Sequence, residues 1–158
     1  MTCPKDIYQA HINTVGQALW DRDFSTVLDH LHYPCFVETD DATLHIPTRE
    51  SYLPSLKSLR DNLTRRGVTA YHRICREAVF THDDPNRIEG IHEVYALSGA
   101  SPVLDPYLTQ MSLILRDGTW LGAGLRSATS NKHWQLVKHP QPIKASPVPE
   151  TALKETQT

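Results

Sequence analysis

The stretch Tyr107-Leu-Thr-Gln-Met-Ser-Leu-Ile-Leu-Arg116-Asp117-Gly118-Thr119-Trp-Leu-Gly-Ala-Gly-Leu-Arg-Ser-Ala128 decides the fold class. Two apolar, strand-length runs, Tyr107–Arg116 and Thr119–Ala128, flank Asp-Gly, the pair favoured in tight hairpin turns. Upstream, Arg87–Leu97 and Ala70–Phe80 have the same character, separated by the turn residues Asp83-Asp-Pro-Asn86. Ser98–Pro106, with Gly99, Pro102 and Pro106, reads as a longer connection. Four strands therefore close the domain.

Further upstream the period changes. Ile7, Tyr8, Ile12, Val15, Ala18 and Leu19 share one helical face over Pro4–Trp20. Asp23 reads as the cap of a second helix, Asp23–Leu31, carrying Phe24, Val27, Leu28 and Leu31. A short hairpin follows over Cys35–Ile46, turning at Asp40-Asp41. The third helix spans about Thr48–Arg66, with Thr48 as cap, the stripe Tyr52, Leu53, Leu56, Leu59 and Leu63, and Gly67 as stop. Pro54 would cost a backbone hydrogen bond inside that helix, so the helix either kinks there or becomes regular near Leu53.

The element order is α-α-β-β-α-β-β-β-β, an α+β domain. Three helices pack on a strongly curved, mostly antiparallel sheet, which must bury one face against them. A sheet curled round its helices makes a cone with a pocket at its open end. The domain is expected over residues 1–130. A tail over 131–158, with Pro140, Pro142, Pro147 and Pro149, reads as extended or disordered.

At 158 residues the chain buries enough surface to fold without a staple. The net charge of −2 gives no basic face for nucleic acid or an anionic membrane. Three separated cysteines, Cys3, Cys35 and Cys75, read as free thiols in a reducing compartment. Met1–Asp6 lacks a basic segment leading into an apolar run, so no signal peptide is expected. No apolar run approaches the ~20 residues that cross a bilayer. A cytoplasmic protein is the expectation. Leu108 and Ile114 lie opposite Met111, Leu113 and Leu115, so both faces of the sheet carry apolar residues. That points to a homodimer through the outer face, with Gly122 and Gly124 permitting close approach.

With these elements placed, the chain resembles the nuclear transport factor 2-like superfamily over about residues 4–128. The local stretches that carry the likeness are Ala18-Leu-Trp-Asp-Arg-Asp-Phe24, Phe36-Val-Glu-Thr39 and Leu113-Ile-Leu-Arg-Asp-Gly-Thr-Trp120. The superfamily includes ketosteroid isomerases, polyketide cyclases, epoxide hydrolases and binding proteins without chemistry. The resemblance implies a cone whose lining includes Tyr8, Val15, Thr39, Tyr52, Leu56, Met111, Leu113 and Leu125. It also counts against steroid isomerisation. Thr39 stands where the isomerase has its base, Val15 replaces the oxyanion-hole tyrosine, and Met111 replaces the protonated aspartate.

Nine histidines are the compositional oddity. Most fall at a helix end, in turns or in the tail. His11 lies on the apolar stripe of the first helix, and the resemblance turns His92 inward with Gly90, Val94 and Ala96. Both are candidate acid–base residues, since imidazole exchanges protons near neutral pH. The opposite phase would bring in Glu89, Ile91, Glu93, Tyr95 and Leu97 instead. The strand before it is equally open: either Tyr71, Arg73 and Cys75 point in, or His72, Ile74 and Arg76 do. An inward arginine would favour an anionic ligand. No metal site and no cofactor are expected, because no His or Cys spacing suits convergent ligands on a rigid element. Two functions follow. One is a pocket protein for a small apolar molecule with a polar handle, as a binder or as an isomerase-, cyclase- or hydratase-type enzyme using His11 or His92. The other is a non-catalytic dimeric scaffold of the same fold, its cone plugged by Leu56, Met111, Leu113 and Leu125.

Overall fold

The computed structural model describes residues 3–134. Three principal helices, α1 (Pro4–Trp20), α2 (Phe24–Asp29) and α3 (Leu53–Arg65), cover one face of the sheet. The strands are β1 (Cys35–Glu38), β2 (Thr43–Ile46), β3 (Ala70–Thr81), β4 (Asp84–Ser98), β5 (Ser101–Pro102), β6 (Tyr107–Arg116) and β7 (Thr119–Ser127). Their spatial order is β2-β1-β7-β6-β4-β3, with β5 added on β4. Neighbours run antiparallel except β1 and β7, which pair in parallel through Val37–Leu125 and Glu38–Arg126. The α+β class and the element order hold. The two-residue β5 falls inside the stretch read as connection.

Local chemistry accounts for most boundaries. Asp23 caps α2, its carboxylate accepting from the Thr26 N–H at 3.3 Å. Thr48 does not cap the third helix. The chain enters through a 3₁₀ turn, Glu50–Tyr52, and the regular helix starts at Leu53. Pro54 thus sits in the first turn, where its missing N–H costs nothing. Gly67 ends α3 at φ 77°, and the Val68 N–H closes back on the Leu63 carbonyl at 3.0 Å. The turn expected over Asp83–Asn86 is shorter. β3 runs to Thr81 and β4 begins at Asp84, ahead of its pairing with β6 at Arg87, so Pro85 displaces no bond to β6.

Irregularities bend the sheet. Register slips occur between Cys75 and Glu77, between Phe80 and Thr81, and opposite Met111–Leu113. Each extra residue kinks its strand and sharpens the twist. The third slip also reverses the facing of β7. Met111 pairs with Leu125 while Leu113 pairs with Gly122, so Gly122 and Leu125 both turn inward despite their odd separation. Gly122 is buried against Leu31 and His11, and Gly124, at φ 143°, lies under the Phe36 ring. Neither glycine is free for the intersubunit approach read from the sequence.

The core has two parts. Leu19, Val27, Leu28, Leu56, Leu59 and Leu63 meet Val37, Val94, Ala96 and Tyr107 beneath the helices. Tyr8, Ile12, Cys75, Ile88, Met111 and Leu113 form a second cluster under the first half of α1. Of the segment expected as tail, Asn131–Trp134 form a short helix, α4, and residues from 135 onward lie outside the described residues.

Asp41 joins that helix to the β1–β2 hairpin. Its carboxylate accepts from Asn131 N–H (2.6 Å), Ser130 Oγ (2.8 Å) and Thr39 Oγ1 (3.0 Å). Desolvation pushes its pKa upward, but these donors outweigh it and bring the group down to about 2. Asp41→Ala should therefore lower stability by about 1 kcal/mol, the scale of a lost helix cap. Urea unfolding measures this, and an unchanged midpoint would show that the junction carries no load.

Candidate functional site

The site is built on alternation along β4. Ile88, Gly90, His92, Val94 and Ala96 are buried, and Glu89, Ile91, Glu93, Tyr95 and Leu97 face the other way. The phase left open by the sequence is thus resolved with His92 inward. Gly90 admits α1 closely, since a Cβ there would penetrate the Tyr8 ring. Tyr8 lies over this gap and places its hydroxyl 2.6 Å from His92 Nδ1. Burial holds the Tyr8 phenol protonated, raised well above its usual range despite Arg73. A neutral phenol needs an acceptor, and Nδ1 is its hydrogen-bond partner among the described residues. The phenol therefore donates, the His92 proton sits on Nε2, and the ring offers an N–H donor.

His11 is the second buried imidazole, on the next turn of α1 from Tyr8. Its ring meets His30 edge-on at 6.0 Å and hydrogen-bonds the Trp120 backbone. His30 is held in turn by its Nδ1 donating to the Thr26 carbonyl at 2.7 Å.

β3 brings in the third group. Tyr71, Arg73 and Cys75 are its inward set, while His72, Ile74 and Arg76 face outward and are exposed. Arg73 Nη2 donates to the Ile12 carbonyl at 3.1 Å, and its buried Nε has no partner. No ion pair found among the described residues engages Arg73.

These groups bound an interior cavity of about 80 Å³. His11, His92, Val15, Tyr52, Leu56, Met111 and Leu125 line it, together with Arg73, Tyr71, Tyr107, Thr109 and Ser127. Tyr8, Thr39 and Leu113 do not. Tyr8 lies behind His92, Leu113 is packed in the second core cluster, and Thr39 is turned into the Asp41 junction. A hairpin aspartate thus draws away the side chain that the resemblance puts at the isomerase base position. The polar additions are paired among themselves: Thr109 Oγ1 and Ser127 Oγ lie 2.9 Å apart, and Tyr71 and Tyr107 share a hydrogen bond. The strand-facing alternatives contained Tyr71 and Arg73. Tyr107 and Thr109 could have been found from the alternation of β6 with Met111, whereas Ser127, on β7, is brought in by its pairing with Thr109.

The cavity is far smaller than the several hundred Å³ of an ordinary ligand pocket. Its electrostatics are one-sided. Burial, then Arg73, then His30 lower the His11 pKa from 6.5 to about 3, overcoming the opposing Trp120 bond. Burial, then Arg73, then His11 lower His92 to about 2. Both rings are neutral at pH 7 and are weak bases. Among the described residues no carboxylate lines the cavity, and no group of three or more His, Cys, Asp or Glu is placed to hold a metal.

Comparison with solved structures sets this geometry in its class. An NTF-2-like protein of unknown function from Shewanella oneidensis superposes with a TM-score of 0.61 at 7% identity, covering 78% of this chain and 97% of that one. A cystatin-like protein of unknown function from Nostoc punctiforme gives 0.61 at 8% identity, over 80% and 90% of the two chains. An NTF2-like protein from Cytophaga hutchinsonii gives 0.55 at 11%, over 79% and 97%. The chain has the nuclear transport factor 2-like, cystatin-like fold. No family model matches it, and no curated protein matches it significantly. No described helix is long and apolar enough to cross a membrane.

The depressed imidazoles set the pH dependence. Unfolded histidines bind protons below about 6.5, whereas His11 and His92 in the folded protein stay neutral until about 3 and about 2. Between these limits the unfolded state holds more protons, so stability falls as pH falls. Each ring contributes up to about 1.4 kcal/mol per pH unit. NMR titration should find both rings neutral down to about pH 4. A ring that protonates near its ordinary value would contradict this burial.

Proposed function

We propose that the cone binds a small molecule with an apolar body and a polar handle, and that His11 and His92 serve it as hydrogen-bonding groups. The observation that carries this reading is the convergence of Arg73, His11 and His92 on a cavity whose other walls include Val15, Leu56, Val94 and Leu125, with Tyr71, Tyr107, Thr109 and Ser127 bonded among themselves. Few polar groups set in apolar surroundings are the usual make-up of a ligand site. His92 presents Nε2–H, suited to an oxygen acceptor. An isomerase- or cyclase-type reaction needs a base, and imidazoles with pKa values of about 3 and about 2 are far from the useful range. Binding without turnover is the reading these groups favour.

Thermal shift and histidine ¹⁵N NMR across small ketones, carboxylic acids and lactones test this. A ligand at about 100 times its Kd adds about 2.7 kcal/mol, a shift of several degrees. The same compounds should move the His92 signal, and both effects should weaken in His92→Ala. Shifts that survive both His11→Ala and His92→Ala would remove the imidazoles from the site.

We also propose that two copies of the chain pair through the outer sheet face. Ile74 and Leu108, 40% and 47% exposed, flank Glu93 in one cross-strand row. Glu93 is already neutralised there by Arg76, which lies 2.7 Å away and also reaches the Tyr95 hydroxyl. A row with its charge paired and its apolar ends exposed suits burial against its own copy. Light scattering should give a dimer that Leu108→Arg converts to a folded monomer; a monomeric wild-type chain would contradict the proposal.

A further inference from the structure

A groove of about 400 Å³ runs outside the cone, between the second half of α1 and the start of β3. It shares two residues with the interior cavity, Tyr71 and Arg73. These side chains stand between the two spaces, so whatever enters the cavity from the groove passes the guanidinium.

The state of that guanidinium is unusual. Nε and Nη2 form the edge that takes a carboxylate side-on, through two parallel hydrogen bonds. Among the described residues Nη2 meets only the Ile12 carbonyl, and Nε–H has no acceptor. Inside α1 that carbonyl also accepts the N–H four residues on, by ordinary helix geometry. A buried donor left unpaired is costly and rare in folded proteins. A half-used fork beside an open groove is a site with one acceptor missing.

Gly16 is the second observation. It sits mid-helix in α1, where glycine is less stable than alanine by roughly 0.5–1 kcal/mol. Its backbone is not left-handed, so helix geometry does not demand glycine. A Cβ there would lie 3.7 Å from Arg73 Nε and 3.8 Å from Nη2, an ordinary contact, so packing does not demand it either. What glycine does provide is an α1 surface with no side chain set against that edge, on the groove side, over an Nε that is itself buried.

We infer that the groove is the mouth of the ligand site, and that Arg73 receives there the carboxylate of a small amphiphilic monocarboxylic acid through an opening kept by Gly16. This rests on the binding reading above and names its ligand class. The cavity, at about 80 Å³, has room for a short carbon chain and not for a bulky body. An acid would lie with its carboxylate at Arg73, a short apolar chain directed inward and any longer body in the groove beside Trp20. The one guanidinium matches a single negative charge, and the apolar interior disfavours a phosphate ester.

The test compares hexanoate with hexanamide, its uncharged counterpart, on the full chain by calorimetry and histidine NMR, in wild type and in Gly16→Ala. Alanine should raise the melting temperature, which shows the variant to be folded. Hexanoate should bind wild type at least tenfold more tightly than hexanamide, and Gly16→Ala should lose at least tenfold for hexanoate alone. Equal affinity for the two compounds, with the His92 signal moving, overturns the carboxylate and leaves the binding cavity standing. Preference for hexanoate that is undiminished in Gly16→Ala overturns the route past Gly16. A His92 signal that answers to neither compound, nor to the wider panel of ketones and lactones, removes the cavity reading as well.

Discussion

The tight contact of α1 with the sheet, where Tyr8 lies over Gly90, sets the geometry of everything else. A side chain at position 90 would lift α1 from β4, and the phenol would lose His92 Nδ1. The next residue works with it. Gln9 donates to the Arg73 carbonyl at 2.9 Å and accepts from the Cys75 N–H at 2.8 Å, so its amide stands in for a missing strand at the free edge of β3. Two adjacent residues thus clamp one turn of α1 to an inner strand and to the sheet edge. The cavity lies alongside this clamp. There the facing side chains no longer fill the gap, and His11 and Arg73 meet the space that remains.

Much of the fold was legible because its signals are local. The 3.6-residue stripe from Ile7 to Leu19, the Asp-Gly turn at Asp117-Gly118 and the stop at Gly67 each depend on neighbours in sequence. What was not legible depends on partners far along the chain. β3 carries large side chains on both faces, so no period-two pattern separates Arg73 from Arg76. Only pairing with β4, which sets Arg73 opposite Val94 and Cys75 opposite His92, makes the choice. The bulge that turns both Gly122 and Leu125 inward has no composition signal, because it arises from register against β6. Thr39 was misplaced for a related reason. Its hydroxyl prefers the charged Asp41, two residues on, to an apolar cavity.

Burial separates these two histidines from the other described ones. Among the described residues His45, His72 and His82 are exposed and His30 and His32 half-buried, whereas His11 and His92 are 7% and 1% exposed. Water is what stabilises the imidazolium, so the feature that makes them candidates for a site also silences them as bases. Their remaining capacity is directional. The Tyr8 hydroxyl fixes which His92 nitrogen carries the proton, and a ring held in one tautomer discriminates donors from acceptors without exchanging a proton.

An anion at Arg73 would alter this balance, and the size of each effect decides how far. The guanidinium is the second cause of the low pKa at both histidines, so pairing it with a carboxylate would remove one force opposing protonation. Burial is the first cause at both. A ligand filling the cavity would exclude more water and make burial weigh still more heavily against the charged rings. On that proposal the rings would remain neutral with the site occupied, with His92 still presenting its Nε2–H. On the proposed reading, a cone with its charge on arginine and its imidazoles dry would recognise an acid through hydrogen bonds and charge, with no proton passing to either ring.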